Sequence, residues 1–131
     1  MSEENVEIVR RSFDAWNEGS IEAIRRCYAE DVVVQTAITE LGKTFECDDP
    51  IGRWVAELQE TWAEIQYELE RTVEGEDVVV SFYRAIGIGR ESGVEVVREM
   101  TGVYRFRDGL IVSEHVFLDR DKALEAAGLQ E

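Results

Sequence analysis

The carboxyl-terminal half of the chain changes from helical spacing to a period of two, and that change limits the fold more than any other feature. Ile65, Tyr67 and Leu69 alternate with Gln66, Glu68 and Glu70, the pattern of a strand with one buried face. Gly75-Glu76-Asp77 then turns the chain into VVVSFYRAIGIG, apolar enough to be buried on both faces. RESG turns it again into VEVVREMTGVYRF, and Arg107-Asp108-Gly109 turns it into LIVSEHVFLD. Long strands joined by short turns predict an antiparallel meander, which must cover one face with something apolar.

The amino-terminal half supplies the cover. Ser2, followed by Glu3 and Glu4, reads as a helix cap with acids in the first turn. Val6, Val9, Phe13 and Trp16 step by three and four, marking one apolar stripe. Gly19 ends that helix and Ser20 caps a second, whose inner face is Ile21, Ile24 and Tyr28. EDVVVQTA predicts a strand near Asp31–Ala37, and an irregular stretch runs to Asp49-Pro50, a cap and first position for a third helix. The third helix carries Ile51, Trp54, Leu58, Trp62 and Ile65, and RDKALEAAGLQE closes the chain as a short helix stopped at Gly128. Three helices gathered on one face of a curved antiparallel sheet make an α+β cone with an internal cavity, a single domain over 1–131.

Composition narrows the partners. Against 14 basic residues stand 29 acidic ones, a formal charge of −15 that repels phosphate backbones and anionic lipid. Nucleic acid and membrane are therefore not expected as partners. MSEENVEIVRR lacks the order of a signal peptide, and a cytoplasmic location is expected. Cys27 and Cys47, in a chain with no CxxC and a single His, read as buried or free thiols and not as a disulfide or zinc site; no metal and no cofactor are expected. Asp48-Asp49 and Asp119-Arg120-Asp121 adjoin helix starts, where acids meet the dipole favourably.

SEENVEIVRRSFDAWNEGSIEAIRRCYAEDV at the start and FRDGLIVSEHVFLDRDKALEAAGL at the end resemble the SnoaL-like branch of the nuclear-transport-factor-2-like superfamily. The resemblance implies the cystatin-like cone over nearly the whole chain. Its known relatives include ketosteroid isomerases, polyketide cyclases and limonene-epoxide hydrolases. Carried over by position, Ser12 stands where the isomerases place a Tyr, Thr36 where they place the Asp base, and Gly102 where they place a protonated Asp. Val116 stands where cyclases and epoxide hydrolases place an Asp, and Arg84 is followed two residues on by Ile86 where the hydrolases need Asp. The resemblance thus brings the fold without the family's known catalytic groups.

What remains is the last hairpin. A three-residue loop at Arg107-Asp108-Gly109 sets Phe106 against Leu110, Tyr104 against Val112, Gly102 against Glu114, Met100 against Val116 and Arg98 against Leu118. This register turns Glu114 into the cavity, in the room left by Gly102, and sends His115 outward with Ile111, Val103 and Phe117. A carboxylate among apolar groups has a raised pKa and can exchange protons, so Glu114 is the candidate catalytic group, with Tyr104 or Arg98 assisting. It would lose that character if Arg98 or Arg84 paired with it. Trp54, Leu58, Trp62, Arg98, Met100, Gly102, Val112, Val116 and Leu118, with Thr36 and Ser12, are the expected ligand contacts.

Two readings of function follow. One is acid-base chemistry on a small apolar or aromatic molecule in the cone. The other is a non-catalytic module that binds such a molecule or dimerises, as a homodimer joined through Ile111, Val103, His115 and Phe117 on the outer sheet face.

Overall fold

The meander is present and is the larger part of the sheet. The computed structural model describes residues 2–36, 43–45 and 47–130. Its elements run α1 (Ser2–Glu18), α2 (Ile21–Arg25), β1 (Tyr28–Thr36), β2 (Lys43–Phe45), α3 (Pro50–Thr61), β3 (Trp62–Gly75), β4 (Val78–Gly89), β5 (Glu95–Arg107), β6 (Leu110–Phe117) and α4 (Arg120–Ala127). The six strands lie in the order β2-β1-β6-β5-β4-β3, a curved, unclosed sheet in an α+β fold. One pairing departs from the all-antiparallel expectation, because β1 lies parallel to β6. Parallel neighbours need a long crossover, and everything from β2 to β5 separates this pair along the chain. Register shifts between Trp62 and Glu64 and between Leu69 and Arg71 each insert a residue into β3, the device that bends a strand.

Helix ends follow local chemistry. Gly19 takes the left-handed φ of 78° that stops α1, and the Ser20 side chain accepts from the Ala23 amide to start α2. Asp49 caps α3 by accepting from Gly52, with Pro50 opening the helix. Asp119 caps α4 through the amides of Asp121 and Lys122, which accounts for both acidic clusters.

Two apolar layers form. Val9, Phe13, Ile24, Trp54, Val79, Tyr83 and Tyr104 belong to the inner core between the helices and the concave face. On the convex face, Ala123 and Leu124 of α4 cover Val78, Val80, Phe82 and Val103.

Several expectations are corrected. Tyr28 opens β1 instead of lining the second helix, because α2 lasts only five residues. Trp62 begins β3, since the helix ends at Thr61 although the apolar spacing carries on through it. Part of the irregular stretch forms β2, and Ala37, the expected end of the first strand, lies outside the described residues.

The last hairpin turns through two residues, Asp108 and Gly109, with φ of 54° and 78°, the pair of positive values a type I′ turn requires. Arg107 pairs with Leu110 and Phe106 with Ile111; Arg105 then pairs with Ser113, leaving Val112 as a bulge. Beyond it Tyr104 faces Glu114 and Gly102 faces Val116. The bulge places Ile111 in the inner core, not on the outer face.

Candidate functional site

Glu114 is placed by strand alternation on a central strand, between Val34 of β1 and Tyr104 of β5. Only 4% of its surface is exposed. The hydroxyl of Tyr28 donates to its Oε1 at 2.5 Å and itself accepts from Trp16 Nε1 at 3.1 Å. On the adjoining strands the hydroxyl of Ser81 donates to that of Tyr104 at 3.1 Å. Among the described residues no buried side-chain polar atom lacks a partner.

Two adjoining chambers open in the cone. The inner one, of about 20 Å³, is lined by Glu114 with Ser12, Phe13, Trp16, Tyr28, Trp54, Tyr67, Tyr83 and Tyr104. The outer one, of about 60 Å³, is lined by Trp54, Leu58, Trp62, Ile65, Tyr67, Tyr83, Ala85, Gly87, Val96, Arg98, Met100 and Val116. Trp54, Tyr67 and Tyr83 line both, so the two chambers adjoin across these rings.

The electrostatics follow from burial. Desolvation disfavours the charged carboxylate and pushes the pKa of Glu114 from 4.5 up to about 7, and the Tyr28 hydrogen bond pulls partly the other way. Burial, followed by the nearby Glu114 charge, raises the phenols of Tyr28, Tyr67, Tyr83 and Tyr104, so they stay protonated at neutral pH. The chamber therefore combines one group that titrates near neutrality with several fixed hydroxyls and ring faces, a set suited to moving a proton on a bound molecule. Among the described residues no group of His, Cys, Asp and Glu side chains could hold a metal ion.

Residues 9–114 match the SnoaL-like domain. The chain belongs to the SnoaL-like family. No curated protein matches its sequence. An NTF2-like protein of unknown function from Burkholderia pseudomallei superposes with a TM-score of 0.80 at 19% identity, over 95% of this chain and 97% of that one. A hypothetical protein with a ketosteroid isomerase-like fold from Catenulispora acidiphila, solved in complex with trimethylamine, gives 0.77 at 19% identity over 95% and 94%. TerC, co-crystallised with polyporic acid, gives 0.78 at 19% identity over 93% and 96%. At such identities the likeness shows the fold alone.

In this SnoaL-like domain the cavity gathers most of the residues singled out in the sequence. Trp54 lines both chambers; Leu58, Trp62, Arg98, Met100 and Val116 line the outer one; Ser12 and Tyr104 line the inner one. Ser12 spends its hydroxyl on the carbonyl of Val9, at 2.6 Å. Thr36 is buried beside Val116 and lines neither chamber. Val112 sits in the bulge and also lines neither chamber, and Leu118 lies past the end of β6 and is 48% exposed. Gly102 leaves no room beside Glu114. A Cβ there would stand 2.9 Å from both Ser81 Oγ and the Tyr104 hydroxyl, so the space is filled.

Neither arginine neutralises Glu114. Arg84 is on the convex face, paired with Glu68 at 2.6 Å, and Arg98 lines the outer chamber only. The partner is Tyr28, which the sequence reading had assigned to a helix. Tyr67 and Tyr83 also join the site without having been singled out; Tyr67 shares a period-two face with Ile65 and Leu69, whereas Tyr83 lies in a strand apolar on both faces, where alternation marks no inward side. The convex face differs too: Val103 is buried under α4, and His115 stacks on Phe117 with ring centroids 3.9 Å apart. Among the described residues, no helix is long and apolar enough to cross a membrane.

Proposed function

We propose that this SnoaL-like domain binds a small apolar or aromatic molecule in the cone, and that Glu114 exchanges a proton with it. The observation that carries the reading is a buried carboxylate in the wall of an aromatic-lined chamber, where burial pushes its pKa up to about 7. In this reading Trp54, Leu58, Trp62, Met100 and Val116 hold the body of the ligand. Tyr28 orients the carboxyl, and Tyr104 offers a hydroxyl on the facing strand. A general acid-base group works best when its pKa lies close to the working pH, and burial supplies that match here. The relatives solved with trimethylamine and with polyporic acid support a cavity that accepts small organic molecules.

The experiment is Glu114→Gln, assayed on any small molecule that quenches the cavity tryptophans and is turned over. The variant is expected to keep binding an uncharged molecule and lose at least a hundredfold in turnover. Unchanged turnover removes Glu114 from the chemistry.

A second reading is binding without chemistry. The hydrogen bond that already occupies one oxygen of Glu114 favours it, because that contact also satisfies a purely structural carboxyl. If the module also forms a homodimer, Val103 and Ile111 are too buried to take part, so contact falls to the neighbourhood of His115 and Phe117. Light scattering at high concentration tests that point, and a monomer would exclude it.

A further inference from the structure

The inner chamber combines a carboxylate with a wall of aromatic rings and, among the described residues, no basic side chain lines it. Burying a carboxylate without an opposite charge is costly, and the Tyr28 hydrogen bond offsets only part of that cost. The rings meet at steep angles: 77° for Phe13 and Tyr83, 71° for Trp16 and Tyr67, 64° for Tyr67 and Tyr83. Tyrosine and tryptophan rings attract a cation within about 6 Å of their faces, and Trp16, Trp54, Tyr28, Tyr67, Tyr83 and Tyr104 put such rings in this wall. The electronegative groups, the ring faces and the net charge of −15 all favour one sign of ligand.

We propose that the inner chamber takes the ammonium head of a small amine, with Glu114 as its counter-ion, while the outer chamber holds the amine's apolar body. This rests on the ligand-binding reading of the cavity given above and narrows it to a chemical class. Size agrees with it. About 20 Å³ is room on the scale of a single buried water, which a primary ammonium matches and a bulky quaternary head does not. Tyr67 and Tyr83 line the same space, and a phenol oxygen can accept from the ammonium protons that Glu114 leaves free.

The titratable groups facing Glu114 are Tyr28 from β1, Tyr67 from β3, Tyr83 from β4 and Tyr104 from β5, and α1 contributes only Ser12, Phe13 and Trp16. All four phenols stay protonated around neutrality, so a change in affinity between pH 6 and pH 8 reports Glu114. Three probes of one shape decide the matter: benzylammonium, benzyl alcohol and benzoate, titrated against tryptophan fluorescence of the full chain.

Benzylammonium is expected to bind about tenfold more tightly than benzyl alcohol at pH 8, and to lose several-fold in affinity at pH 6 as Glu114 gains its proton. Glu114→Gln is expected to erase the difference between the two probes. The wild-type probe ratio and its pH dependence stand without the variant, should that variant fold poorly. Equal binding of benzyl alcohol, or tighter binding of benzoate, overturns the amine assignment and leaves the small-molecule reading in place. Failure of all three probes to bind overturns both.

Discussion

Tyr28 and Glu114, 86 residues apart in the chain, are joined by a 2.5 Å hydrogen bond across the seam where β1 and β6 run parallel. The bond links the first strand to the last and fixes the orientation of the one carboxyl in the inner chamber. It also pulls the acidity of Glu114 against the effect of burial, since donation to a carboxylate favours its charged form.

Removing the donor should move that acidity. Tyr28→Phe leaves Glu114 desolvated without its hydrogen bond, so its pKa should rise above the present value of about 7. Trp16 also loses its acceptor, and the variant should be about 1–3 kcal/mol less stable. Carboxyl carbon titration by NMR reads the first effect and urea denaturation the second; an unmoved pKa would show that the bond contributes little.

The pH dependence of stability has a definite sign. Between 4.5 and about 7 the unfolded chain has released the Glu114 proton while the folded chain still holds it. The folded state therefore binds more protons, and stability falls as pH rises through this window. The part due to Glu114 should level off above pH 7, at a total cost of about 3 kcal/mol. Glu114→Gln should remove this component, so the variant gains on the wild type from pH 4.5 to pH 7. Parallel stability curves over that range would count against a buried, unneutralised carboxyl.

The two partners should behave as a unit. Glu114→Leu strands the Tyr28 hydroxyl, and Tyr28→Phe strands the carboxylate, so each alone is costly. The double variant removes both groups and should cost less than the sum of the singles, with a coupling of about 0.5–3 kcal/mol. Chemical denaturation of the four proteins at pH 8 measures it, and strict additivity would mean that the two groups are energetically independent.

In the wall of the outer chamber, Trp62 lies against Gly87. A Cβ at Gly87 would stand 2.7 Å from the Trp62 ring, too close without movement of the indole. Gly87→Ala should displace that ring and shift its emission, and it should weaken binding of aromatic ligands several-fold more than it lowers the melting temperature. An unchanged emission spectrum would show that the indole does not move to make room for the methyl group.

The cone and its order of elements were legible because strands and helices declare themselves by period, and caps such as Ser20, Asp49 and Asp119 mark the starts. The inward phase of Glu114 was legible as well, though through a register that differs from the actual one. A three-residue loop without a bulge and a two-residue loop with one give the same phase from Ser113 onward. They differ at Ile111, which the bulge turns into the core. Tyr28 was illegible because Ile21, Ile24 and Tyr28 fit a helical stripe whether or not the helix lasts that long. Trp62 hid in the same way. Its distance from Leu58 suits a helix, and only the chain's turn into β3 decides otherwise. The pairing of Tyr28 with Glu114 depends on a parallel contact between distant strands, and no local pattern announces such a contact.

The single unpaired residue at Val112 separates the hairpin into two lengths of strand that keep independent phase. The tip near Asp108-Gly109 can then gain or lose a residue, with the slack taken up at the bulge, while the span from Ser113 to Phe117 stays clamped between β1 and β5. The surface end of the hairpin is thus free to diverge in length between relatives without turning the carboxyl out of the cavity and the imidazole of His115 in.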